Sequence, residues 1–204
     1  MRTILLAALA FAWSALPSGA ASLAKTYSYF TIEGSTLDQL EQELSTRGPQ
    51  VSSTGRRHPG ATQMQFTTKL TYEEIRGYCR VGNATVTVSA KVILPRWKPR
   101  GRADANLRRI WDTLSRDIKR HEESHVVIAK NHAAEIERAL KKLPRSRNCE
   151  TLAAKASAVT NGILERHDRK QADFDRVEGI NFERRILQLL RYRLEQIEAG
   201  RLPG

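Results

Sequence analysis

Residues 104–143 read DANLRRIWDTLSRDIKRHEESHVVIAKNHAAEIERALKKL and predict one long amphipathic helix. Apolar residues recur along this segment in steps of three and four, which places their side chains on one face of an α-helix. They are Leu107, Trp111, Leu114, Ile118, Ile128, Ile136, Leu140 and Leu143. Asp104 precedes them and is suited to cap the helix. Because His121, His125 and His132 continue the apolar stripe, we expect these histidines on the buried face.

An H-E-x-x-H motif, His121-Glu122-Glu123-Ser124-His125, lies within this helix. Four residues make about one helical turn, so both imidazoles project from one face and can share a tetrahedral zinc ion. Glu122 is then placed to take a proton from a water ligand, as a general base. The alternative is a pair of core histidines, which are costly to bury without a metal or other charges to satisfy them. Asp117, one turn earlier, could orient the motif from behind the ligands, but we read it as a surface acid.

A zinc site needs a third protein ligand. His132 follows His125 by seven residues, about 10 Å along a straight helix, so we place it in the core or behind the ligands. If the next helix folds back around a turn at residues 144–148, His167 lies opposite His125. His167 is therefore the expected third ligand, with Glu178 as the alternative. The remaining candidates are Asp168, Asp173 and Asp175.

The chain before this helix predicts a small, mainly antiparallel sheet. Alternating segments rich in β-branched and aromatic residues are typical of strands. They cover residues 25–33, 63–70, 79–81 and 84–94. Gly82-Asn83 has the composition of a hairpin turn between the last two strands. Thr36 can cap one short helix over residues 37–44, which Gly48-Pro49 ends.

The expected fold class is α+β. Two further helices follow the motif helix, one beginning at Cys149 and one over residues 180–199, so the C-terminal half is expected to hold three helices. We expect one domain over residues 21–204, mainly β in residues 21–100 and mainly α in residues 101–204.

Residues 1–20 have the composition of a secretory signal peptide. A short basic start, Met1-Arg2-Thr3, precedes an apolar run and then Pro17-Ser18-Gly19-Ala20, whose small residues suit cleavage. The apolar run is too short for a comfortable membrane span, and no other segment approaches the required length. We therefore expect an exported protein, periplasmic or secreted.

The chain has two cysteines, Cys79 and Cys149. In an exported protein an even pair predicts a disulfide. The loop that it closes is long, so the chain-entropy model gives a stabilisation of about 4 kcal/mol.

The net charge is +12, yet the basic residues are spread along the chain. Most of them alternate with acidic or apolar residues on predicted helices, which is typical of solvated helix faces. No basic motif is interleaved with aromatic residues, so we expect no specific nucleic-acid binding.

In its zinc-binding motif and in several short segments, the chain resembles the exported bacterial proteins grouped as domain of unknown function 922. These proteins are described from their motif as secreted zinc-dependent proteases. The resemblance covers most of the chain after the signal peptide. The segments that carry it are Tyr27-Ser28-Tyr29, Gly34-Ser35-Thr36, Arg47-Gly48-Pro49, Cys79, Leu94-Pro95-Arg96-Trp97, Trp111, the H-E-x-x-H motif and Cys149. Phe174-Asp175 resembles a Tyr-Asp pair of the family. The Thr-x-His-Gly segment that often follows that pair has no counterpart here, which leaves the third ligand open between His167, Glu178 and a degenerate site.

Motif and resemblance together predict an exported zinc-dependent metallopeptidase that acts on peptides or proteins of the cell envelope. An amidase that acts on cell-wall peptides shares the same site chemistry. The alternative from another class is a non-catalytic envelope protein that binds a partner or an anionic polymer. It would have either a structural zinc ion or the motif without a metal.

Overall fold

The computed structural model describes residues 22–51 and 55–202. The predicted signal peptide lies outside the described residues. The elements are β1 (Ser22–Ile32), α1 (Leu37–Arg47), β2 (Gln50–Val51), β3 (Arg56–Arg57), β4 (Ala61–Ile75), β5 (Tyr78–Trp97), a 3₁₀ helix (Lys98–Arg102), α2 (Ala105–Lys141) and α3 (Cys149–Glu198). The prediction of an α+β fold with a small sheet is confirmed. No helix in the described ranges is both long and apolar enough to cross a membrane.

The central strand of the three-stranded sheet is β5, in the order β1-β5-β4. The sheet is mixed, because β4 pairs with β5 antiparallel, as expected, whereas β1 pairs with it parallel, which the sequence analysis did not predict. The alternating small and β-branched residues of β5 place one row of side chains in the core. These are Ala84, Val86, Val88, Ala90, Val92 and Leu94. Their burial against the helices explains why this strand is central.

The hairpin turn between β4 and β5 is Arg76-Gly77 and not the predicted Gly82-Asn83. Both turn residues have positive φ, 51° and 77°, as a two-residue type I′ turn requires. Gly82 instead lies inside β5, where the pairing register shifts. It is the extra residue of a β-bulge, and a Cβ at this position would lie only 2.7 Å from Glu73 Oε1.

The helix α2 agrees closely with the prediction from residues 104–143. Asp104 caps it, since one carboxylate oxygen accepts from the N–H groups of Asn106 and Leu107 at 2.9 Å each. The predicted second and third helices, however, are one continuous helix of 50 residues, α3. The segment that was expected to separate them has no proline, and its one glycine, Gly179, costs only about 1 kcal/mol in a helix. The C-terminal half is thus a pair of long antiparallel helices.

Both long helices pack against the same face of the sheet. Val86 and Val88 of β5 meet Ile136 and Leu140 of α2, and Ile163 of α3 joins the same cluster. A second cluster covers the other end of the sheet, where α1 and the start of α2 meet. It contains Ile32, Leu40, Leu44, Trp97, Leu107 and Trp111.

A disulfide joins Cys79, near the start of β5, to Cys149, the first residue of α3, as predicted. Beside it, Ser146 and Cys79 exchange two backbone hydrogen bonds of 2.8 and 2.9 Å. The loop between the long helices is therefore bound to the sheet, and α3 starts from a fixed point.

We expect the double variant Cys79→Ala/Cys149→Ala to lose about 4 kcal/mol of unfolding free energy, because it frees a loop with a sequence separation of 70 residues. Urea denaturation of the variant and of the oxidised protein measures the difference. Reduced wild type is the control and should match the variant. A difference below about 1 kcal/mol would show that the cross-link constrains the unfolded chain little.

Candidate metal centre

Two helices bring three potential metal ligands together. His121 and His125 lie one turn apart on α2, and their Nε2 atoms are 3.1 Å apart. Asp175 extends from α3, and its Oδ1 lies 3.3 Å from His121 Nε2 and 3.0 Å from His125 Nε2. We call these three residues the ligand triangle. Among the described residues, their donor atoms form a group compatible with a metal ion.

The dimensions of the ligand triangle fit zinc. Ligand atoms about 2.0–2.1 Å from a tetrahedral zinc ion are separated from one another by about 3.3 Å. The measured separations of 3.0–3.3 Å are close to that value. The Asp175 side chain is 53% exposed, so one side of the triangle is open to solvent. Phe174 packs against both imidazoles, with ring centroids 5.0 and 5.1 Å away, and holds them in place.

Neither favoured candidate for the third ligand lies in the ligand triangle. Gln171, not His167, contacts His125, at 2.6 Å between Oε1 and Nδ1. The antiparallel pairing is thus displaced by four residues from the symmetrical hairpin that the sequence analysis assumed. The disulfide and the Ser146 bridge bind the start of α3 to β5, so the turn alone does not set this register. Which residues bind a metal stays a prediction, but the geometry moves the third position to Asp175.

Glu178 belongs to an ion-pair cluster beside the site. Its carboxylate binds Arg120 and also Arg185, the latter at 3.2 Å, and lies 3.7 Å from His121 Nδ1. The same two arginines bind Asp117, at 2.9 and 3.1 Å. Two guanidinium groups therefore already neutralise Glu178 and Asp117, whereas among the described residues Asp175 pairs with the two histidines.

Asp117 is buried, with 4% of its surface exposed, so its placement as a surface acid is wrong. Burial alone would raise the pKa of this carboxyl. Hydrogen bonds from Arg185 and Arg120 outweigh burial and lower the pKa. The cluster connects α2 to α3 directly beside His121, which holds the two helices in register at the site.

Glu122 lies under the cleft between α2 and the first residues of β4. It is 5% exposed, and its Oε2 accepts a hydrogen bond of 2.8 Å from Thr62 Oγ1. Burial raises the pKa of Glu122, while Thr62 and the nearby histidines reduce that rise. Gly60 passes so close that a Cβ there would lie 2.9 Å from Glu122 Oε1. Thr62 of β4 and Gly60 just before it therefore position the carboxylate, and no sequence motif indicates either residue.

In the ligand triangle, the Asp175 carboxylate and the His125 imidazole shift each other's pKa so that the charged forms are favoured. Burial lowers the pKa of His125, but the hydrogen bonds to Asp175 and Gln171 outweigh it and the net shift is upward. Burial likewise opposes ionisation of Asp175, yet its hydrogen bonds to His121 and His125 lower its pKa. The carboxylate is therefore charged at neutral pH and available to a cation.

The two remaining histidines of α2 and α3 lie behind the site. His132 bonds through Nδ1 to the carbonyl oxygen of Ile128 at 2.8 Å. His167 packs its ring against Phe66 and against His132, with centroid separations of 5.0 and 5.4 Å. Burial lowers the pKa of His167, so its ring is neutral at neutral pH. The expectation that His132 lies in the core or behind the ligands agrees with this position.

The fold and site define an α+β protein with an H-E-x-x-H helix facing a carboxylate from an antiparallel neighbour helix. A family model described as bacterial protein of unknown function (DUF922) matches residues 27–183, and the chain belongs to this family. The match begins in β1 and ends in α3 beyond Glu178, so it includes the whole site. No curated protein and no solved structure matches the chain.

We expect Asp117→Asn to lower the unfolding free energy at pH 7 by about 3 kcal/mol, because it leaves Arg185 without its buried carboxylate. The folded-state pKa of Asp117 is lowered, so its contribution is present above the unfolded value near 3.8 and is lost as pH falls through the folded value. The difference from wild type should therefore shrink at pH 3.

Urea denaturation at pH 7 and at pH 3 measures both differences. The matched control is Asp173→Asn, which removes an exposed carboxylate paired with Arg176 and should change stability by less than about 0.5 kcal/mol. Equal losses in the two variants would contradict a structural role for the Asp117 cluster.

Proposed function

We propose that this protein is an exported zinc-dependent metallopeptidase that hydrolyses peptide bonds in peptides or proteins of the cell envelope. The observation that carries the proposal is the ligand triangle, with donor atoms 3.0–3.3 Å apart, next to the buried carboxylate of Glu122. Export is part of the proposal. The composition of residues 1–20 and the cysteine pair support it, because disulfides persist in oxidising compartments.

His121 and His125 would hold the metal through their Nε2 atoms and Asp175 through Oδ1. When bound, zinc supplies a Lewis acid that lowers the pKa of a water ligand towards neutrality and polarises the scissile carbonyl. Glu122 accepts the proton of the attacking water and passes it to the nitrogen of the leaving amine as the C–N bond breaks. Burial suits Glu122 to this role, since a general base is most effective when its pKa lies near the working pH.

Substrate would enter the cleft beside the ligand triangle. The floor of the cleft comes from the first residues of β4 and the preceding turn, and its wall comes from the two long helices. The lining includes Val51, His58, Gly60, Ala61, Thr62, Met64 and Gln171. The small residues there leave the Glu122 carboxylate reachable from the cleft.

The second candidate is a non-catalytic envelope protein without a bound metal. The contact between His125 and Asp175 favours it, because a charged imidazole and a carboxylate 3.0 Å apart satisfy each other without a cation. Metal binding distinguishes the two candidates, because only the peptidase requires a bound zinc ion.

We expect the purified chain from residue 21 onward to bind about one zinc ion and to release it on prolonged chelation. His121→Ala and Asp175→Asn should both fail to retain zinc, because each removes a ligand. Elemental analysis after dialysis measures the content. A variant of a surface acid on the same helix, Asp173→Asn, is the control. Full zinc content in Asp175→Asn would move the third ligand elsewhere, and an absence of zinc in wild type would favour the second candidate.

We expect Glu122→Gln to keep zinc but to lose peptidase activity by about 10²–10⁴-fold, because the amide cannot accept the proton. Cleavage of a quenched fluorescent peptide library measures activity, and elemental analysis verifies the metal. Glu123→Gln is the matched control, since that carboxylate faces Lys25 and Tyr27 at the surface. Equal activity in Glu122→Gln and wild type would exclude the proposed general base.

A further inference from the structure

We propose that Gln171 is a positioning residue that fixes the tautomer of His125 and directs its Nε2 into the ligand triangle, and that His167 and Asp168 hold the Gln171 amide in place. The inference rests on the proposed metal-binding role of His125. It assigns roles to three residues of α3 that the peptidase mechanism does not use.

The backbone carbonyl of His125 can only accept hydrogen bonds. Gln171 Nε2 lies 3.2 Å from that oxygen. The reversed amide would place two acceptors against each other, so the NH₂ group must face the carbonyl. The other amide atom, Oε1, then lies 2.6 Å from His125 Nδ1. Because Oε1 only accepts, His125 Nδ1 must carry a proton.

The proton on His125 Nδ1 determines which nitrogen of this imidazole is free to bind a metal. A histidine that binds a metal is neutral and has one N–H group, which Gln171 retains on Nδ1. The lone pair is then on Nε2, which is the atom 3.1 Å from His121 Nε2 and 3.0 Å from Asp175 Oδ1. A ligand histidine whose second nitrogen donates to a fixed acceptor is held in tautomer and in ring orientation.

The second amide proton of Gln171 requires an acceptor of its own. His167 Nε2 lies 2.8 Å from Gln171 Nε2 and provides it. His167 therefore carries its proton on Nδ1, which donates to Asp168 Oδ1 at 2.9 Å. The hydrogen-bonded chain thus runs from Asp168 through His167 and Gln171 to His125, and every donor in it has an acceptor.

Helical spacing explains how one helix supplies this chain. His167, Gln171 and Asp175 follow each other at four-residue intervals on α3, so they share one face in three successive turns. His167 anchors the amide of Gln171, Gln171 orients His125, and Asp175 contributes the carboxylate of the ligand triangle. His167 is buried near the site without joining the ligand triangle because Gln171 stands between His167 and His125.

The decisive variants differ in hydrogen bonding and not in size. Gln171→Met keeps the volume but removes every polar atom, and we expect zinc affinity to fall by about 10–100-fold. Gln171→Glu keeps an acceptor for His125 Nδ1, so its zinc affinity should stay within about 10-fold of the wild-type value. A purely steric role predicts the reverse order, since methionine fills the same space without charge. Gln188→Met, at an exposed glutamine of α3, is the control and should bind as wild type.

Zinc affinity is measured by competition with a chromophoric chelator, and ¹⁵N–¹H spectra of the zinc-loaded protein report which His125 nitrogen carries the proton. We expect the proton on Nδ1 in wild type. Equal affinities for wild type and Gln171→Met, or zinc bound through Nδ1, would overturn the positioning role while leaving a zinc site. If wild type binds no zinc at all, the proposed function fails, and that outcome is distinct from the other two.

Discussion

The antiparallel register of α2 against α3 is the constraint on which the rest of the site depends. At one end the disulfide and the Ser146 bridge fix where α3 begins. Further along, Arg185 of α3 binds the buried Asp117 of α2 at 3.1 Å. Between these two fixed points, the residues of α3 that face the motif are determined to within one turn. A shift of four residues would bring Gln171 to the place of Asp175 and remove the carboxylate from the ligand triangle.

Charge is distributed around the site so that one carboxylate is left for a cation. Arg120 and Arg185 bind both Asp117 and Glu178, and these acids are thereby neutralised. Asp175 has no arginine partner among the described contacts and faces only imidazoles. Neither arginine is among the residues that line the cleft. The two carboxylates that line the cleft, Asp175 and Glu122, therefore have no arginine partner among the described residues, although the chain as a whole is strongly basic.

The sequence predicted the features that depend on local pattern. The motif helix, its cap at Asp104 and the α+β class follow from periodicity and turn chemistry. The disulfide was predicted from an even number of cysteines together with the expectation of export. The parallel pairing of β1, the bulge at Gly82 and the continuity of α3 depend on distant partners that no local pattern records. The third position of the site depends on helix register in the same way, because a difference of one turn places Gln171, and not His167, beside His125. Phe174-Asp175 was the available signal, since it matched the family's Tyr-Asp pair.

The missing Thr-x-His-Gly segment therefore does not by itself argue for a degenerate site. The ligand triangle already offers three donors, two imidazoles and one carboxylate, and one side open to solvent. Catalytic zinc sites commonly combine three protein ligands of this kind with one open position. A zinc ion held by two neutral imidazoles and one carboxylate would keep a net charge of about +1, enough to polarise a bound carbonyl. Asp175 would then supply the donor that a further histidine supplies elsewhere in the family, so the geometry of the donor atoms decides metal binding more than the sequence motif does.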